Sequence, residues 1–442
     1  MITPWTRAAC AAALLALASL VQPLPAATTP ESNPAFSYSE MLSRYPNNDN
    51  LRLASAGEMR AFPGVYPVTP PEKNAAFHFV NGAALIADAT PPPGSALSTK
   101  LYEGDRRAVE QWVTVNADAL DAIRTGTAMA ECTFPVMFYK DTGLPAGPQI
   151  IMPQMLRLAK LATDAGFAAE LKGNAEEARQ WYLTILRMGL LMRRGNQSES
   201  LTGISIMEMG AVQLSRLVSH ADLRRGELDA TVSALREQEV SREELESLMA
   251  DEIYTAQIGA EKAKLNTNMG APFDSESYRR EASRVQLTFK QSWFTLLGTE
   301  ELSTVLDRLA SSQTRVKAAP EDKYLEWRVK LAQTDLLMRV EQVRAAMDVF
   351  LRNTHRLPDK LEDLVPNYLP QMPVDPFSGE PLRYAQTEKG WKIWSVGYDR
   401  RDDDGVTTDP FTLWTGPDFV FASDIPSNLD YRTHGNVGGP LK

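Results

Sequence analysis

The chain has 442 residues, 46 of them basic and 56 acidic, for a formal net charge of -10. That balance, with no basic stripe, speaks against nucleic acid as a partner, because phosphate binding needs clustered Lys and Arg. Two cysteines, Cys10 and Cys132, are too few for a disulfide framework or a cysteine metal site, and the length suits two or three domains.

At the start, Arg7 precedes an apolar run over 8–21 and then Pro25, Ala26 and Ala27, the order of a cleaved secretory signal. The run is too short to span a bilayer stably. Residues 1–27 are therefore expected to be a signal peptide and the mature chain to be periplasmic or secreted, with an uncleaved anchor as the alternative. Cleavage removes Cys10, and Cys132 is then expected to be buried as a small hydrophobe. Every later helical segment is broken by charge, so no integral membrane span is expected in the mature chain.

Residues 28–73 are polar and proline-rich and are expected to form a flexible, irregular lead-in. A short helix follows over 75–87, stopped by Pro91, Pro92, Pro93 and Gly94. From Arg106, the apolar residues Val109, Trp112, Val113, Leu120 and Ile123 recur at three and four residue steps and predict helix. Prolines and glycines over 133–148 predict a loop.

The next segment reads as a helical hairpin. Leu156, Leu158, Ala159, Leu161, Ala162, Ala165 and Ala169 form a helix with a face of small side chains, Lys172, Gly173 and Asn174 make the turn, and Ala178, Tyr182, Ile185 and Leu186 open a second face. The hairpin resembles one tetratricopeptide unit, but no second copy appears at the period such arrays need. With further helices over 201–220, 228–239, 242–265 and 278–311, residues 74–315 predict a non-repeating helical bundle. Pro320, Glu321 and Asp322 then start a long helix whose face is marked by Val329, Ala332, Leu336, Val340, Val343, Met347 and Phe350. It ends before Pro358.

Past that point the character changes. One helical turn over 361–365 is followed by Met372, Pro373, Val374, Asp375, Pro376, Phe377, Ser378 and Gly379, where Asp375 can accept hydrogen bonds from a turn that Pro376 pre-sets. Strands are predicted over 382–385, 391–396 and 419–421, with Trp391, Ile393 and Ser395 on one face and Lys392, Trp394 and Val396 on the other. Trp391, Trp394 and Trp414 are expected to belong to the core of this sheet rather than to an exposed surface.

Leu-Pro before the short helix, Pro-x-Asp-Pro-aromatic and Ser-x-Gly-x-Asp over 336–421 resemble the globular domain of the type II secretion major pseudopilin, general secretion pathway protein G. With the helices upstream, the chain is expected to be mainly α, a helical bundle followed by a small α+β pseudopilin-like domain, 320–425, with a three-stranded antiparallel sheet, and an irregular tail over 426–442. The resemblance also implies a calcium ion held after the Ser-x-Gly-x-Asp turn, with Val396 offering its carbonyl, Asp399 its carboxylate, and Asp418 near the second acidic position. Independently, Asp399, Asp402, Asp403 and Asp404 crowd carboxylates whose repulsion a divalent cation would relieve. A solvated acidic loop without an ion is the other reading. The basic leader, cleavage junction and polymerising apolar helix of a pseudopilin are not recognisable, so filament assembly is not expected.

Chemistry-bearing motifs are sparse. His78, His220, His355 and His434 are scattered, Gly203 to Ser205 continue as helix instead of forming a nucleophile elbow, and no phosphate loop appears. Glu176 with Glu177, and Glu243 with Glu244, are neighbours that do not face each other on a helix. The expectation is a non-enzymatic exported scaffold or binding protein, with secretion-system components as partners. The alternatives are an exported hydrolase with a site between the helical domain and the tail, or a calcium-stabilised module unconnected with secretion.

Overall fold

The computed structural model describes residues 48–53, 70–97, 106–134, 137–141, 145–146, 151–221, 224–239, 322–388, 390–407 and 416–423, with single positions over 302–307. The expected signal, the helices read over 242–265 and 278–311, Trp414 and the tail over 426–442 fall wholly or mostly outside the described residues. Those described are mainly helical and include two small antiparallel sheets.

Helix α1 (Ala75–Leu85) starts at Asn74, whose side chain accepts from the Ala76 N–H at 3.1 Å and also grips Thr133 through both backbone groups. The periodic stretch from Arg106 is two helices, α2 (Arg106–Val115) and α3 (Ala117–Thr127). Buried Asn116 separates them: it donates to the Trp112 carbonyl at 2.8 Å and accepts from the Ala87 N–H at 2.7 Å, competing with the helix for its backbone.

Strands β1 (Leu51–Leu53), β2 (Met137–Tyr139) and β3 (Pro145–Ala146) form the first sheet. They correct the readings of 28–73 as wholly irregular and of 133–148 as a loop. Leu51 pairs with Tyr139. Each strand is too short to show alternation, and pairing across this separation gives no local signal.

Four helices make the centre: α4 (Met152–Leu171), α5 (Ala175–Arg193), α6 (Gln197–His220) and α7 (Arg225–Arg236). Gly173, at φ +75, turns the chain between α4 and α5, and Asn174 caps α5 by accepting from Glu177 N–H. Glycines set the spacing of the helices. A Cβ on Gly166 would lie 2.4 Å from the Tyr182 ring, and one on Gly203 would lie 2.5 Å from the Gly189 carbonyl oxygen. Tyr182 reaches past Gly166 to donate to Glu170, which also pairs with Arg216 from α6. Buried Asp164 fastens the proline turn to α4, accepting from Ser95 Oγ at 2.6 Å and Ala96 N–H at 2.7 Å.

Helix α8 (Asp322–Thr354) packs along α6 and α7. Its Trp327 indole donates to Ser200 Oγ at 2.8 Å, and Arg352 donates to the Ala221 carbonyl at 2.7 Å. All the apolar residues of the predicted stripe are buried, but so is every residue over 331–338. The expected single stripe, meant to cover the C-terminal sheet, is thus a helix buried around its middle, with the upstream helices taking the larger share.

The second sheet has the order β4 (Arg383–Thr387), β5 (Gly390–Ser395), β6 (Phe419–Ala422). Arg383 lies opposite Trp394, and Ile393 opposite Phe421. The hairpin is tighter than predicted, since Thr387 pairs with Gly390. Trp391 and Trp394 are buried.

Two expectations follow. Gly203→Val forces the α5 and α6 backbones apart and should lower unfolding free energy by roughly 1–3 kcal/mol in urea denaturation. On α6, burial raises the Glu208 carboxyl to about 7 against the weaker opposing pull of Lys330, and its Oε1 has no hydrogen-bond partner among the described residues. Its folded pKa therefore lies above the unfolded value, so ionisation costs stability above pH 7 and the cost fades as pH falls towards 4.5. Glu208→Gln should melt higher than the parent at pH 8, by an equivalent of roughly 2–3 kcal/mol, and alike at pH 4.5.

Candidate functional site

The C-terminal module is organised around Asp375. Pro376 pre-sets the turn after it, and Gly379, at φ +77, closes the turn by donating to the Asp375 carbonyl at 2.8 Å. The Asp375 side chain is fully buried. One carboxylate oxygen accepts from Phe377 N–H at 2.9 Å and Ser395 Oγ at 2.8 Å; the other accepts from Ser378 Oγ at 3.2 Å and Val396 N–H at 3.1 Å. The Arg383 guanidinium stands 3.6 Å away. Asp375 thereby joins its own turn to the end of β5. The sequence reveals the turn but not the second set of donors.

Phe377 is consequently held edge-on to Phe419 and Tyr398, with ring centroids 5.3 and 5.9 Å apart, and Tyr398 meets Phe419 at 4.8 Å. Gln333 of α8 donates to Tyr398 Oη. Burial pushes the Tyr398 hydroxyl above its ordinary pKa, against that bond. Arg344 of α8 lies over the Trp391 ring at 5.4 Å, and Phe350 meets Tyr368 at 5.4 Å. These contacts seat the sheet and its turns on α8.

The acidic turn follows β5. Val396 is buried, with its N–H on Asp375. Asp399 is exposed and accepts from Arg401 N–H at 3.0 Å. Asp402 accepts from Arg383 Nε at 2.6 Å, from the Trp394 indole at 2.9 Å and from Asp404 N–H at 3.2 Å. Burial pushes its carboxyl up, but these bonds and the Arg383 charge outweigh it and hold it below the usual range. Asp403 and Asp404 expose their side chains, and Asp404 takes φ +57. The Lys392 ammonium sits on the carbonyls of Asp404 and Gly405, while Asp418, buried before β6, accepts from Asp403 N–H at 3.1 Å and Gly405 N–H at 2.8 Å. Burial raises the Asp418 carboxyl, with Asp402 and Asp403 adding to it and the two N–H bonds opposing.

These residues fit a resident calcium ion poorly. Calcium takes six to eight oxygens. Among the described residues no group of three or more His, Cys, Asp or Glu side chains is placed to hold a metal ion. Asp402 is engaged by Arg383 and Trp394, and the loop carbonyls by Lys392. Asp418 Oδ1, buried and without a hydrogen-bond partner among the described residues, is a single oxygen.

The junction of helices and module holds a cavity of about 80 Å³ lined by Arg236, Glu239, Arg339, Gln342 and residues 370–374. Arg339 donates to the Val374 carbonyl at 2.6 Å and pairs with Asp335 at 2.8 Å and Glu239 at 3.4 Å; Gln342 donates to Glu239 at 2.8 Å. Its wall carries no Ser, Cys or His, and it is smaller than ordinary ligand pockets. The arrangement clamps residues 370–374 to α8 and to the segment that follows α7.

No protein-family model, curated protein or solved structure matches the chain. Among the described residues, no helix is long and apolar enough to cross a membrane.

Asp375→Ala strands the buried Val396 N–H and the Ser395 hydroxyl, at about 1–3 kcal/mol for each unsatisfied group. The variant should lose roughly 3 kcal/mol or more in guanidinium unfolding, and Asp375→Asn, which keeps one acceptor, should lose less.

Proposed function

We propose that the chain is a non-enzymatic scaffold or binding protein that works outside the cytoplasm, in connection with protein secretion, through a C-terminal module over 320–425 related in build to the type II secretion major pseudopilin. The observation that carries the reading is the conjunction around Asp375: a Pro-x-Asp-Pro-aromatic turn whose carboxylate ties the chain to the end of a strand that continues as Ser-x-Gly-x-Asp. Asp375 and Ser395, which belong to two of the motifs that carry the resemblance, are joined directly by that contact.

Two further observations support it. The apolar run over 8–21 with Ala26 and Ala27 has the order of an export signal. The junction cavity is built as a clamp of paired charges, which favours a mechanical link over a catalytic cleft. The role differs from that of a filament subunit, because α8, the module's own helix, is buried around its middle and has little apolar face left for neighbouring copies.

Cross-linked pull-down of the tagged full chain from the native host's periplasm should recover identified secretion-apparatus components reproducibly. Recovery of none of them would end the secretion link. Turnover of ester, peptide or glycoside substrates that tracks the protein through purification would instead establish the hydrolase.

A further inference from the structure

We infer that the acidic turn over 399–405 is closed by two cations of the chain's own, Arg383 and Lys392, in the region where the resemblance places calcium, so that this end of the module is ordered without a divalent ion.

The strand register brings the donors together. Lys392 and Trp394 are two residues apart on β5 and share a face, and Arg383 on β4 is the direct partner of Trp394. All three deliver to the turn: Arg383 and Trp394 bind the two oxygens of Asp402, and Lys392 binds the Asp404 and Gly405 carbonyls. Lys392 Nζ also lies 4.9 Å from the Trp394 ring centroid. The loop rests closely on this face, for a Cβ on Gly405 would come within 2.9 Å of Lys392 Nζ and 3.0 Å of the Trp394 ring. Gly405, at φ +68, meets both the steric and the backbone requirement.

Both sides of the loop backbone are engaged. Its carbonyls face an ammonium, and the Asp403 and Gly405 N–H groups face Asp418. A divalent ion entering from the sheet side would have to displace Lys392 from those carbonyls, against the repulsion of two nearby positive charges. The crowding of Asp402, Asp403 and Asp404 that suggests a metal from sequence is thus balanced from the neighbouring strands. The consequence is functional: this end of the module keeps its form whatever the calcium level outside the cytoplasm. The inference concerns the turn alone, and its failure would leave the secretion reading standing.

The test uses the full chain. Calorimetric titration with calcium chloride should give no saturable heat, and melts in millimolar calcium and in chelator should coincide. Lys392→Met and Arg383→Gln should each lower Tm by roughly 2 °C or more, Lys392→Arg should restore most of the loss, and added salt should narrow the gap between parent and variants. One calcium ion bound per chain with a raised Tm, or variants that melt with the parent, would overturn the inference. Should the variants fail to fold, the titration of the parent still decides it.

Discussion

Helix α8 has to be covered on more than one side, and much of the fold follows from that requirement. Residues 331–338 are buried in succession, so the usual division into a core face and a solvent face does not apply here. Leu331, Leu336, Leu337, Val340 and Val343 are almost wholly inaccessible, and each contributes about 2 kcal/mol by leaving water. Helices α6 and α7 cover one part, and the C-terminal module adds Tyr398, Trp391 and Tyr368 through contacts with Gln333, Arg344 and Phe350. A small sheet of three strands has little independent stability; here it rests on a helix that the bundle already holds.

The close approach of α5 and α6 makes that support rigid. Gly189 and Gly203 face each other with no room for a side chain, and the buried Glu170 and Tyr182, with the partly exposed Arg216, link α4, α5 and α6. Charge placed inside a protein is costly unless paired, and this trio satisfies itself. On α6, the buried Glu208 Oε1 has no hydrogen-bond partner among the described residues.

Within the module, two buried carboxylates do related work. Asp375 holds a turn against the end of β5, and Asp418 holds the acidic loop against the start of β6. Each accepts backbone N–H groups that would otherwise be left unsatisfied in the interior. The acidic loop is consequently a part of the sheet's structure, with Arg383 and Lys392 completing it, and its negative charge is partly neutralised before any partner arrives. A preformed, rigid end loses less freedom on meeting a partner than a loop that must order on contact.

Much of this was legible in the sequence by itself. The 3.6-residue pattern located the helices from 152 to 220 and the long helix ending before Pro358, the alternation from Trp391 to Val396 located the central strand, and the Asp375-Pro376 pair located the turn. Local steric and hydrogen-bonding preferences determine such features, so neighbouring residues report them. Only the tertiary structure decided which surfaces cover α8, that Asn116 divides one periodic stretch in two, that Leu51–Leu53 is a strand, and that Arg383 and Lys392 answer the charge of the acidic turn. Those outcomes depend on groups far apart along the chain, and a pairing between distant residues leaves no period in either segment for a reader of the sequence to find.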